Sequence, residues 1–213
     1  MGDASLLAPC IAGLILAGGQ GSRMAHQDKG LVLLNGEPMV AHVARRLAPQ
    51  VARLIISANR HADHYARYGT VVADNEPGLE KYQGPLLGIA AGLAAVAAVA
   101  DVADVDWVVV VPCDTPFLPG DLAARLVDAA QSAQAPMAYA MAGEQRHSAC
   151  MALRPSLLPG LRAYLHGGDR KVGLWQARVG AVAARFDDAP HAFMNVNTPE
   201  ELAEAQRYAS QGR

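Results

Sequence analysis

The sequence lacks the means for covalent cross-linking: its three cysteines, Cys10, Cys113 and Cys150, are scattered, odd in number and without C-x-x-C spacing. That pattern excludes a disulfide framework and a structural zinc site, and makes a reducing cytoplasm the expected location. An excess of charge is also missing: 18 Lys+Arg against 20 Asp+Glu leave a formal net charge of −2, with no run of one sign. Without a basic field, neither nucleic acid nor an anionic membrane is an expected partner, so any anion must be met by a local site. Long hydrophobic runs are absent too. Leu86 to Ala100 is uninterrupted apolar or Gly, but falls short of the roughly 20 residues of a membrane span and runs into Asp101, Asp104 and Asp106. It reads as a buried, alanine-rich helix. The apolar stretch Leu6 to Ala17 follows a leader carrying Asp3 where a signal peptide has cations, and reads as a strand. No internal repeat, low-complexity tract or long linker interrupts the chain.

What is present is 213 residues, 52% hydrophobic and 18% charged, enough to bury a full core as one domain and far from collagen-like or disordered composition. Short apolar strands alternate with helical stretches, which predicts βαβ units and a mainly parallel sheet covered on both faces. The strands are expected at Gly13–Ala17, Arg53–Ser57, Thr70–Ala73 and Trp107–Val111. The unbroken apolar run of the last suits a central parallel strand. A helix should begin at Pro38 and bury Val40, Val43, Ala44 and Leu47, and another should pass through Leu122, Leu126 and Val127. Met137–Ala142 and Ser148–Leu153, joined at Gly143-Glu144, resemble an antiparallel pair and make the sheet mixed. Helices at Leu157–Leu165 and Val172–Ala177, a strand at Ala181–Phe186 and a helix after Thr198 complete the chain. Thr198 with Glu201 three positions on has the pattern of a capping box.

The strongest local signal is the glycine-rich turn after the first strand, Leu16-Ala-Gly-Gly-Gln-Gly-Ser-Arg-Met24, followed by Asp28-Lys29-Gly30. Backbone N–H groups exposed there can cradle phosphates, with Arg23 and Lys29 as adjacent cations. The spacing is neither that of a P-loop nor that of the dinucleotide fingerprint, and the bland alternative is a strand-to-loop turn with solvated cations. Asp114 directly follows the buried strand between Pro112 and Pro116. At the carboxyl edge of an α/β sheet it can hold a hard cation, for which Mg²⁺ is the choice, or simply cap a turn. Asn195 and Asn197 share one side of an extended segment, where their two amides can bind phosphates or the acceptor part of a ligand. His61 and His64 are spaced to meet on a helix, where a solvated face is the better reading than a metal pair. Cys113 has no activating base beside it and reads as packed.

Taken in order, Leu16-Ala-Gly-Gly19 with Arg23-Met24, Asp28-Lys29-Gly30, Gly84-Pro85-Leu86, Pro112 to Pro116 and Asn195-Val-Asn-Thr-Pro-Glu-Glu-Leu202 closely resemble the molybdenum cofactor guanylyltransferases, the MobA family. The resemblance covers nearly the whole chain. It implies a Rossmann-like, three-layer α/β nucleotidyltransferase fold with a mainly parallel, mixed sheet, and transfer of GMP from Mg-GTP to the terminal phosphate of molybdopterin. Residues about 11–120 would be the GTP and Mg²⁺ half and about 121–213 the pterin half of one domain. Carried over by position, the backbone of Leu16, Ala17 and Gly18 faces the guanine. Gly19, Arg23 and Lys29 lie near the phosphates, Asp74 is on the nucleoside side, and Asp114 is the Mg²⁺ ligand. Gly84 and Gly88 allow close approach of the nucleotide, although Gly88 can equally serve helix packing. Gly18 and the Pro112 to Pro116 stretch favour GTP over the CTP of related cytidylyltransferases.

The chain departs from the family at Ser57, where Asn is common and Asn59-Arg60 follows, at His147-Ser148 in place of His-Pro, and at Arg170-Lys171 in place of two arginines. Lys171 still meets phosphate as a point charge but without bidentate geometry. An anionic acceptor phosphate needs no general base, so Arg23, Lys29, Asp114 and the loop N–H groups would act by positioning and charge neutralisation. Two alternatives stay open: the same chemistry on CTP or another acceptor, and a guanine-nucleotide binding module without catalysis. The product implies transient contact with molybdoenzymes or their chaperones.

Overall fold

The structure, a computed structural model, describes residues 10–19, 28–79, 84–98 and 105–210. Strand β1 (Ile11–Leu16) is followed by two short strands, β2 (Leu33–Leu34) and β3 (Glu37–Pro38), that pair antiparallel. Asn35 and Gly36 join them at φ 51° and 85°, the left-handed pair that an Asn-Gly hairpin turn requires. This hairpin was not among the sequence expectations. Helix α1 (Met39–Leu47) buries Val40, Val43, Ala44 and Leu47, the face its spacing predicts. Strand β4 (Arg53–Ser57), helix α2 (Ala62–Tyr65), strand β5 (Thr70–Val72), helix α3 (Pro85–Ala98) and strand β6 (Trp107–Pro112) follow. The second half supplies α4 (Leu122–Ser132), β7 (Met137–Ala142), β8 (Gln145–Leu153), α5 (Leu158–His166), α6 (Val172–Arg178), β9 (Val182–Arg185) and α7 (Pro199–Ser210).

One sheet has the order β5-β4-β1-β6-β8-β7-β9. The first four strands are parallel, β8 runs antiparallel to both β6 and β7, and β9 returns parallel to β7. The fold is therefore the three-layer α/β arrangement with a mixed sheet. The alternation along β6 shows why: Trp107, Val109 and Val111 pack with α1 and α4 on one face, Val108 and Val110 with α3 and α5 on the other. Each fully buried valine contributes about 1.5–3 kcal/mol by area, so a strand covered on both faces can be apolar throughout. Arg154 lies 4.1 Å over the Trp107 ring. Glycine lets α3 approach: a Cβ on Gly92 would collide with Leu14 of β1. A smaller cluster of Leu34, Met39, Phe117, Val196 and Ala205 seats α7 against the hairpin.

Several expectations shift at their ends. Strand β8 starts at Gln145 instead of Ser148, because Gln145, Arg146 and His147 pair with Ala142, Met141 and Ala140 beyond a register shift at Tyr139/Ala140. Strand β9 is shorter than Ala181–Phe186, and β1 begins earlier than Gly13. His61 is not on the helix with His64 but precedes it as a cap at φ 51°. The parts of the expected first strand and alanine-rich helix at residues 6–9 and 99–100 lie outside the described residues.

Candidate active site

The carboxyl ends of β1, β4 and β6 meet at one edge. Ala17 N–H donates to Ser57 O at 2.7 Å and Cys113 N–H to Leu16 O at 3.0 Å, so the three strand ends stay zipped as they leave the sheet. Ligands bind α/β sheets at such an edge. Two polar clusters stand there.

The first surrounds Asp114. Lys29 Nζ lies 3.4 Å from Asp114 Oδ2 and donates also to Asn197 Oδ1, which joins residues 85 and 168 positions away in sequence. Val196 N–H donates to Asp114 O at 2.9 Å, drawing the segment with both asparagines onto the end of β6. Asn195 Oδ1 accepts from the buried Thr115 hydroxyl at 2.8 Å, while Glu201 accepts from Asn197 N–H at 2.6 Å and Thr198 N–H at 3.1 Å. Glu201 N–H in turn donates to Thr198 Oγ1 at 3.2 Å, completing the capping box that the spacing predicts. Burial raises the Asp114 carboxyl above the ordinary carboxylate range, and the Lys29 ammonium opposes that shift. Burial also raises the Cys113 thiol well above its usual value, so it is a packed thiol and not a thiolate nucleophile.

The second cluster surrounds Asp74, which is 5% exposed. Its carboxylate accepts from Ser57 Oγ and, at 3.1 Å, from Asn59 Nδ2, while its own N–H donates to Asn59 Oδ1 at 2.9 Å. Burial raises the Asp74 carboxyl and these hydrogen bonds partly offset it. Glycine is obligatory around it. A Cβ on Gly18 would collide with Asp74 Oδ2, and one on Gly88 would stand 2.5 Å from Ser57 Oγ. Gly88 thus serves an approach of α3 to the strand ends, not helix–helix packing. Glu76, also buried, is clamped by Arg162 of α5 at 2.8 Å, which fixes the loop carrying Asp74. Arg60 donates to Gly19 O at 3.2 Å.

The sequence candidates therefore divide. Leu16, Ala17, Gly18, Gly19, Ser57 and Asp74 gather at one end of the edge, and Lys29, Asp114, Asn195 and Asn197 at the other. Gly84, at φ 92°, precedes α3, and a Cβ on it would meet nothing within 4 Å among the described residues. Lys171 stands apart as the cap of α6, its carbonyl accepting from Tyr164 Oη at 3.0 Å. Arg23 lies outside the described residues. Among the described residues no group of three or more His, Cys, Asp or Glu side chains forms a metal cluster, and the His61 and His64 rings meet edge-on at 6.0 Å without a third partner. Beyond the end of β6, His147 stacks on Phe193 at 4.5 Å, its imidazole held towards the neutral form by burial. Next to it Arg146 lies 3.7 Å over Tyr139 and donates to the buried Gln176 at 2.7 Å. Asn59, Thr115 and Glu201 are positioning residues whose roles the sequence reading did not assign. Only the capping box could have pointed to Glu201.

The family model of the MobA-like NTP transferase domain matches residues 13–202, which include both clusters. The chain belongs to the MobA-like NTP transferase family. A molybdenum cofactor guanylyltransferase of Shewanella putrefaciens is 43% identical over 192 residues, covering 90% of this chain and 93% of the relative. One of Shewanella loihica is 40% identical over 196 residues, covering 92% and 95%. Among solved structures, molybdopterin-guanine dinucleotide biosynthesis protein A of Archaeoglobus fulgidus matches with a TM-score of 0.75 at 21% identity, covering 94% of this chain and 99% of that one. A nucleotidyl transferase of Methanothermobacter matches at 0.70 and 19% identity, covering 97% and 100%. At those identities the structures speak to the fold, which is that of the MobA-like NTP transferases and other nucleotidyltransferases. No helix among the described residues is long and apolar enough to cross a membrane.

Proposed function

We propose that this protein transfers GMP from GTP to the terminal phosphate of molybdopterin, forming molybdopterin guanine dinucleotide and pyrophosphate. The observation that carries the reading is the convergence of Lys29, Asp114 and Asn197 at the strand edge where the Gly18-Gly19 turn also opens. The names of relatives at 40% and 43% identity over nine-tenths of the chain support the choice of substrates.

In this reading the backbone of Leu16, Ala17 and Gly18 faces the guanine, with Asp74 and Ser57 on the nucleoside side and Gly84 leaving room for it. Gly19, Arg23 and Lys29 meet the phosphates. Asn195, Asn197 and Lys171 belong to the acceptor side, and residues 11–120 and 121–213 are the nucleotide and acceptor halves of a single domain. Cytoplasmic work and transient hand-over to molybdoenzymes or their chaperones complete the proposal.

A Mg²⁺ ion fits the residues present. Asp114 is a single, largely buried carboxylate with one cation at 3.4 Å, and Mg²⁺ is commonly held by one or two carboxylates together with substrate phosphates. Asp114 would hold it, and the ion would neutralise charge developing on the α-phosphate oxygens. The protein's own part is positional. The acceptor phosphate is anionic at neutral pH and attacks the α-phosphorus in line, so no side chain has to remove a proton. Lys29, placed by Asn197, is a fixed cation at the edge, and loop N–H groups add preorganised dipoles. Burial of Asp114 and Asp74 keeps water from competing for them.

The test is transfer by the purified protein with Mg²⁺ and molybdopterin-loaded acceptor, GTP against CTP, scoring the dinucleotide directly. Product from GTP alone is expected. Product from CTP alone would overturn the base assignment, and GTP binding without product from either nucleotide would make the protein a binding module.

A further inference from the structure

Lys29 enters the site from a short turn, with Leu31 N–H donating to Asp28 O at 3.0 Å and Val32 N–H to Lys29 O at 3.2 Å. The side chain before it does not face the substrate edge. Asp28 is 9% exposed and its Oδ1 accepts a hydrogen bond from the hydroxyl of Tyr65, a residue of α2 that is completely buried. The residue after Lys29 is shaped by the same phenol. A Cβ on Gly30 would stand 3.0 Å from Tyr65 Cε1 and 3.1 Å from Cζ, and would collide with the hydroxyl oxygen. Gly30 is therefore glycine because the Tyr65 ring occupies the space of a side chain. Each residue of Asp28-Lys29-Gly30 then has its own physical reason: one accepts from Tyr65, one reaches Asp114, and one makes room.

The consequence lies in where the ammonium goes. Lysine has a flexible stem with about 2 kcal/mol of rotamer entropy, so its reach is useful only if its Cα is fixed. Tyr65 fixes the residue on either side of it, one by a hydrogen bond and one by contact. Burial keeps the phenol protonated, with its pKa well above the ordinary tyrosine value, so the donor is permanent.

We propose that Tyr65 is a positioning residue for Lys29: its buried phenol anchors Asp28 and packs on Gly30, and so holds the Lys29 ammonium against Asp114 and Asn197. The proposal rests on the reading of Lys29 and Asp114 as groups of nucleotidyl transfer, and the test separates the two.

Tyr65→Phe keeps the ring and removes only the hydroxyl. In this variant kcat/KM for GTP should fall about tenfold, the loss expected when a catalytic charge is displaced by a fraction of an ångström. In a Lys29→Ala background the same substitution should change the residual rate less than twofold, because the residue it positions is gone. Amide exchange at Leu31 and Val32 should accelerate in Tyr65→Phe, while Ile55 and Ile56 of β4 keep their protection. A Phe variant with the parent rate, one that loses equally in both backgrounds, or unchanged exchange at Leu31 and Val32 would each overturn the proposal. If the parent protein made no dinucleotide at all, the functional reading would fail, and the exchange pattern would still decide the anchor.

Discussion

Replacing Gly18 with alanine adds one methyl group and, on this structure, does damage through a single neighbour. Gly18 is not among the glycines with positive φ, so alanine meets no backbone penalty there. The added Cβ instead collides with Asp74 Oδ2 and stands 3.1 Å from Asp74 Cγ and 3.2 Å from Asn59 Nδ2. Asp74 cannot yield freely, because Ser57 and Asn59 hold its two oxygens. Moving the carboxylate forfeits at least one hydrogen bond to a charged group, worth about 1.5–3 kcal/mol. A loss of about 2 kcal/mol lowers Tm by roughly 4–8 °C in a chain of this size. Thermal melts of the parent, Gly18→Ala, Asp74→Ala and the double variant measure it as a cycle. In the Asp74→Ala background the Gly18 substitution should cost under about 0.5 kcal/mol, since the atom it strikes is gone. Gly19→Ala is the control for stability, because a Cβ there meets nothing within 4 Å among the described residues. A Gly18→Ala protein that melts like the parent, or loses as much with Asp74 removed, would refute the reasoning.

Asp114→Ala should leave the fold intact and lower guanylyl transfer on the order of a thousandfold, about 4 kcal/mol of transition-state stabilisation; a near-parental rate with Mg²⁺ would sink its assignment. Burial raises the Asp74 carboxyl above its unfolded value, so the folded state binds more protons and stability falls as pH rises through the window between the ordinary aspartate value, about 3.9, and the raised folded one. Asp74→Asn removes that share, and its Tm should gain on the parent's as pH rises across the window; parallel Tm–pH curves would contradict the shift. Lys171→Ala should raise KM for the acceptor at least threefold with KM for GTP unchanged, as expected for a point charge on the acceptor side alone; steady-state kinetics varying each substrate in turn decide it.

How much was legible in the sequence depends on whether a signal is local. The central strand at Trp107, the Gly143-Glu144 hairpin and the Thr198/Glu201 capping box each declare themselves within a few residues, and each stands where spacing puts it, whereas the glycine-rich turn lies outside the described residues from position 20 on. The Asp74 cluster does not. Ser57 and Asn59 leave β4, and Asp74 follows β5, 15 to 17 residues on, so their meeting depends on the parallel pairing of two strands that no local pattern fixes. Tyr65 reads as one more core aromatic until Gly30 is seen against it. The polar Gln145, Arg146 and His147 carry no apolar alternation that would extend the strand expected from Ser148; their pairing with β7 is what makes them strand. The Asn35-Gly36 hairpin, by contrast, has a local signal in its dipeptide.

Besides Glu76, which Arg162 holds away on the α5 side, four of the described carboxylates stand near the strand edge, and their partners distinguish them. Asp28 is bound to the Tyr65 phenol, Asp74 to Ser57 and Asn59, and Glu201 to the backbone N–H groups of Asn197 and Thr198. Asp28 is tied to α2, Asp74 to the end of β4 and Glu201 to the N-terminus of its own helix, and each is matched by neutral donors that add no charge. Asp114 alone is matched by a cation, at a separation longer than an ordinary charge-assisted hydrogen bond of about 2.7–2.9 Å. Asn197 keeps the ammonium in place while its contact with Asp114 stays loose, and Asp114 has no neutral donor side chain among the described residues. On the proposed function the other three acids are structural, and the pair at Asp114 is the part of the edge that meets the substrate phosphates.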